Sequence, residues 1–157
     1  MKPKKVFILS GPPASGKSTW VQKQINTNPG VWCSRDAVRF SMIGEDEDYF
    51  AHENEVFEAW ILSIQVAIAN SEIENVYIDA THLNEKSRDK VLNRLNLENA
   101  ILCAVNFIVP LEECIRRNDL REGRAKVSRS VIRRMYFSFV PVNITDKRFS
   151  EIINVRW

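Results

Sequence analysis

Residues 11–18 read Gly-Pro-Pro-Ala-Ser-Gly-Lys-Ser and match the pattern G-x-x-x-x-G-K-[ST]. Residue types at this spacing bind phosphate: glycines let the backbone curl, N–H groups point inward, and the lysine adds a point charge. Gly11, Ala14, Ser15 and Gly16 are the expected cradle, Lys17 reaches the β/γ-phosphates, Ser18 faces a magnesium ion, and Thr19 follows. Three further groups carry charge that could do chemistry. Ser34-Arg35-Asp36-Ala37-Val38-Arg39 places Asp36 and Arg39 three apart on one helical face. An Asp there can act as a general base or as a helix cap, and an Arg there can hold an anionic substrate. Ile78-Asp79-Ala80-Thr81-His82 puts an Asp at the end of an apolar run, suited to magnesium ligation through water or to a turn. His82 can touch an acceptor or simply hydrogen-bond its loop. Arg117, Arg121 and Arg124 form an i, i+4, i+7 stripe, which can neutralise charge spread over a transferring phosphoryl group.

Elements must position these groups. Apolar runs at 5–10, 31–34, 75–80, 101–109 and 151–156 predict five strands. Between them the pattern predicts helices over Lys17–Asn26, Tyr49–Asn70, a stretch capped by Asn84, Leu111–Glu122, and one started by Ser128 or Ser130. Strands alternating with helices imply a parallel sheet covered on both faces. Ligands in such folds bind beyond the carboxyl ends of the strands, where the charged groups above fall.

The 157 residues suit one domain, with 45% hydrophobic and 27% charged residues. No apolar run is long enough to cross a membrane. Cys33, Cys103 and Cys114 lack metal-ligand spacing and read as free thiols in a reducing, cytoplasmic setting. Net charge is +2, but it is unevenly spread. Residues 40–85 hold eleven Asp or Glu and no Lys or Arg, whereas 115–134 hold eight Lys or Arg. The acidic run Glu45–Asp48 reads as a solvated lead-in to a helix.

The ordered set of motifs resembles the kinase module of phage and bacterial polynucleotide kinases. It comprises G-P-P-A-S-G-K-S-T, N-P-G, S-R-D-x-x-R, I-D-A-T-H-L-N, R-R-N-D-L-R-E-G and V-I-R-R-M, and it spans nearly the whole chain. The resemblance implies a P-loop α/β kinase with a five-stranded parallel sheet and an arginine-bearing lid near 117–135. It implies ATP and Mg²⁺ as cofactors and a nucleic acid 5′-hydroxyl end as acceptor. Asp36 matches the general base, Arg39 the arginine on the acceptor's own phosphate, and Arg117 and Arg121 the lid arginines. Asp79 and Thr81 match the D-A-T segment after the third strand, with Asp79 on the metal side through water and Thr81 on the substrate side. The chain departs from the family at His82, where Asn is usual, and at Ser128, where many members have Pro. No phosphatase or ligase half follows within this sequence. The alternatives are a kinase of a small-molecule hydroxyl and a nucleotide-binding module without catalysis.

Overall fold

A computed structural model describes residues 2–157. Five strands form the sheet: β1 (Lys4–Ser10), β2 (Val31–Ser34), β3 (Asn75–Asp79), β4 (Ala100–Ile108) and β5 (Glu151–Arg156). All neighbours are parallel and the order is β2-β3-β1-β4-β5. The helices are α1 (Lys17–Thr27), α2 (Arg35–Met42), α3 (Glu53–Ala69), α4 (Glu85–Leu92), α5 (Leu111–Asp119) and α6 (Arg129–Ser138). A single 3₁₀ turn, Gly123–Ala125, links the last two. Among the described residues no helix is long and apolar enough to cross a membrane.

The two faces of the sheet follow from the strand period of two. On β1, Val6 and Ile8 join a core with Trp60, Ile61 and Ile64 of α3 and Val91 and Leu92 of α4. Phe7 and Leu9 point the other way, onto Val21 and Trp20 of α1. Phe7 stacks on Tyr77 with ring centroids 4.9 Å apart. The turn after α1 is pinned to β3, because the Tyr77 hydroxyl donates to Asn28 O at 2.7 Å. Gly30 is required there, since a Cβ would fall 2.1 Å from Asn75 O.

The strand expectations hold to within a residue at each end. The long helix begins at Glu53, not Tyr49, because residues before it are spent on turns over the cleft described below. Helix α5 stops at Asp119, short of Glu122. Ser128 caps α6, its Oγ accepting from Val131 N at 3.3 Å. The lid elements share a small core of Val109, Cys114 and Ile132.

Candidate active site

The loop after β1 is built for an anion. Gly16 takes φ +98°, where an L side chain is strained, and a Cβ there would lie 3.2 Å from Arg117 Nη1. Ala14 also adopts a positive φ of 62°. These turns curl the backbone ahead of α1, whose N-terminus carries no side-chain cap. Its first N–H groups and the helix dipole are therefore left for a ligand. Ser15 Oγ is buried without a partner among the described residues. The Lys17 ammonium folds back on the loop, donating to Gly11 O at 3.0 Å and Pro12 O at 2.7 Å. Burial lowers its pKa to about 8, with the Asp79 charge opposing the shift. A bound polyphosphate offers that ammonium better partners than two carbonyls.

The loop opens into a cleft of about 450 Å³ at the carboxyl ends of β1, β2 and β3. Lys17, Ser18, Asp36, Arg39, Asp79, Thr81 and Arg121 all line it. Thr81 is also structural: its carbonyl accepts from Gly11 N at 2.8 Å, tying the loop to the end of β3. Asp79 is buried and its Oδ2 accepts from Trp32 Nε1 at 2.9 Å. Burial raises its pKa, against the pull of Lys17. Gly11 and Ser15 are buried, and Thr19 is exposed on α1 away from the cleft wall.

The cap of α2 is Ser34, so Asp36 does not fill that role. Ser34 Oγ accepts from Ala37 N at 3.1 Å and caps α2. Asp36 sits in the first turn, its side chain 54% exposed and free of any capping duty. Its Oδ1 accepts from Tyr49 Oη at 2.5 Å and pairs with Arg39.

Arg39 differs from the expectation of an open anion site. It is buried, and its Nε and Nη2 donate to the two Glu53 oxygens at 2.8 and 3.0 Å. Arg35 shares the same carboxylate at 3.1 Å. Burial works against the Glu53 charge, but Arg39 and Arg35 outweigh it and hold the carboxyl below its usual range. Sequence reading missed Glu53 because it lies among eleven acidic residues and only the packing of α3 on α2 singles it out. Trp32 and Tyr49 were missed for the same reason: each contributes one polar atom across a long sequence gap.

His82 does not line the cleft; of the two roles open to it, acceptor contact and a structural hydrogen bond, the structure shows the second and the acceptor assignment is corrected. It is buried, its ring centroid 5.8 Å from that of Trp60. Nδ1 lies 2.5 Å from Leu9 O, so the proton sits on Nδ1, and buried Nε2 has no partner among the described residues. Burial lowers the His82 pKa from 6.5 to about 4. Between those values the unfolded chain binds the extra proton, so this contribution is complete above pH 6.5 and is lost as pH falls toward 4. We expect about 2–3 kcal/mol of stability to disappear between pH 7 and 4.5 by urea unfolding, and His82→Asn to flatten that dependence. An unchanged pH dependence in the variant contradicts the assignment.

The arginine stripe divides. Arg117 places Nη1 over Gly16 while Nε donates to Glu113 Oε1 at 2.9 Å. Arg121 faces the cleft, and its one hydrogen bond among the described residues is a 3.3 Å contact to Ala125 O. Arg124 turns to α2, donating to Ile43 O and Phe40 O at 3.1 and 3.3 Å and stacking 4.6 Å from the Phe40 centroid. It fastens the lid to α2 and also lines the cleft. Among the described residues no three His, Cys, Asp or Glu converge as a metal cage. Magnesium asks for less, one or two carboxylates plus phosphate oxygens, and Ser18 and Asp79 in one cleft fit that demand.

A parallel sheet, a phosphate loop at its carboxyl edge and an arginine lid define a P-loop kinase fold. Residues 6–142 match the AAA domain family, and the chain belongs to it. Among solved structures it is similar to a chain of the Pnkp1/Rnl/Hen1 RNA repair complex at 23% identity and TM-score 0.74. That match covers 94% of this chain and 51% of the other, so this chain spans about half its length. A sugar kinase from Janibacter sp. HTCC2649 matches at 17% identity and TM-score 0.68, covering 98% and 86% of the two chains. A fungal RNA kinase matches at 16% identity and TM-score 0.64, covering 96% and 74%.

Proposed function

We propose that this protein transfers the γ-phosphoryl group of ATP to the 5′-hydroxyl of a nucleic acid end. The observation that carries the reading is Asp36: uncapped, half-exposed, and in the cleft that also holds Lys17. A nucleotide-binding module needs no carboxylate there. Lys17 and the loop N–H groups hold the donor phosphates, Arg117 and Arg121 face the transferring group, and Asp36 accepts the acceptor's proton. Ser18 and water-linked Asp79 would hold Mg²⁺, which neutralises phosphate charge when bound. Similarity to a chain of an RNA repair complex and to a fungal RNA kinase supports a nucleic acid acceptor. The three free, buried cysteines suit the cytoplasm.

Glu53 favours a second reading. Because it already occupies Arg39, an acceptor phosphate must compete with a carboxylate. A kinase of an uncharged small-molecule hydroxyl avoids that contest, and the fold is shared with a sugar kinase. A panel of 5′-hydroxyl oligonucleotides, nucleotides, nucleosides and sugars with γ-labelled ATP separates the two. A nucleoside 3′-phosphate should exceed the bare nucleoside in kcat/KM by about tenfold or more, the worth of one charge-assisted contact. Arg39→Ala should erase most of that preference. Equal use of both acceptors by the wild type promotes the small-molecule reading.

The lid arginines give a separate test. Arg121→Ala and Arg117→Ala should each lower kcat by about 10–100-fold, less than the roughly 10²–10³ of a lone charge-stabilising donor, because two share the task. Acceptor KM should move little. An effect confined to acceptor KM relocates the arginine to the acceptor site.

A further inference from the structure

We propose that Tyr49 is the positioning residue for the acceptor base: its hydroxyl fixes Asp36 so that one carboxylate oxygen stays bound to protein and the other is left for the acceptor. The proposal rests on Asp36 being the base. Tyr49 lies in the turns between α2 and α3, thirteen residues from Asp36. Its O–H donates to Asp36 Oδ1 at 2.5 Å, and its oxygen accepts from Arg39 Nη1 at 2.6 Å. Arg39 is a donor only, so the phenolic proton has one destination, the carboxylate. Arg39 donates to that same Oδ1. Both protein contacts therefore fall on Oδ1. Oδ2 accepts no hydrogen bond among the described residues, and it belongs to a side chain 54% exposed at the cleft.

A half-exposed Asp in the first turn of a helix can sample several rotamers. Two donors on one oxygen select a single arrangement, and that is what transfer to a positioned base requires. The clamp is itself held. The Arg39 guanidinium lies 4.1 Å from the Tyr49 ring centroid, and Glu53 fixes its far side. Phe40 and Phe50 meet the Tyr49 ring edge-on at 6.1 and 4.7 Å. Burial, and then the charge of Asp36, raise the Tyr49 pKa, so the phenol stays a donor throughout. In the transfer step the acceptor oxygen bonds to the γ-phosphorus as the bond to the β-bridging oxygen breaks. The acceptor proton passes to Asp36, and the Tyr49 proton does not move.

Tyr49→Phe deletes only the hydroxyl and keeps the ring beneath Arg39. With whichever panel acceptor turns over fastest, kcat should fall by about 10–100-fold, the worth of a hydrogen bond to a charged group. KM for ATP and for the acceptor should stay within about threefold, and the melting temperature within a few degrees. The deciding readout is the double-mutant cycle with Asp36→Asn. If Tyr49 acts through Asp36, Tyr49→Phe in the Asp36→Asn background costs nothing further. Full additivity, or wild-type kcat in Tyr49→Phe, overturns the proposal while leaving Asp36 as base. Wild-type kcat in Asp36→Asn, or no turnover with any acceptor, overturns the base reading and the Tyr49 role together.

Discussion

Lys17→Met will abolish phosphoryl transfer while the protein stays folded. The ammonium is the one lysine charge at the loop, and its loss removes the donor expected on the β/γ-phosphates. Removing a single charge-stabilising donor costs about 10²–10³ in rate, and Lys17 supplies up to three hydrogen bonds, so we expect about 10³-fold or more. The fold should not suffer. Burial already pushes the Lys17 pKa down to about 8, which means the folded protein disfavours its charge. A neutral side chain of similar length relieves that cost. The linkage gives a check independent of activity. Between pH 8 and 10.5 the unfolded lysine keeps a proton that the folded one has shed, so wild-type stability gains with rising pH in that window. The variant should lose this gain and melt at or above the wild-type temperature at neutral pH. Near-normal turnover in a folded variant would remove the phosphate loop from the mechanism.

Asp36→Asn will lower kcat by about 10²–10⁴-fold with little change in ATP affinity. That range is the usual contribution of a positioned general base. The asparagine keeps the size and still accepts from Tyr49, but it cannot take a proton from the acceptor. Helix α2 should persist, because Ser34 holds its cap. Ser34→Ala is the matching control: it should cost about 1 kcal/mol of stability and leave kcat largely intact. Collapse of ATP binding with surviving chemistry would make Asp36 a structural residue. Steady nucleotide binding by the wild type, with no acceptor-dependent ADP release, would make the protein a binding module.

Some of this was written in contiguous residues. The phosphate loop is local: its glycines, Lys17 and Ser18 lie within eight residues, and the geometry follows from φ values that neighbours impose. Strands β1, β3 and β4 were legible because they are buried on both faces and read as largely apolar runs. The placement of Asp36, Asp79 and Thr81 at one edge also followed, since chain direction is the same in every strand of a parallel sheet. The strand order was not legible, because pairing β1 between β3 and β4 is a contact between distant segments.

The pairings of the charged groups were decided only by tertiary packing. Arg39 looked open because its neighbours in sequence offer no second carboxylate; Glu53 arrives from α3, fourteen residues on. His82 looked accessible because it follows a strand; the ring turns under Trp60 and caps Leu9 O, seventy-three residues away. Arg124 was expected on one helical stripe with Arg117 and Arg121, yet α5 ends at Asp119 and the 3₁₀ turn Gly123–Ala125 brings Arg124 against α2. A side chain's residue type fixes which partners it can accept. Which partner it receives depends on what the fold brings within about 3 Å, and hydrogen-bond energy falls too steeply with distance for sequence spacing to stand in for that.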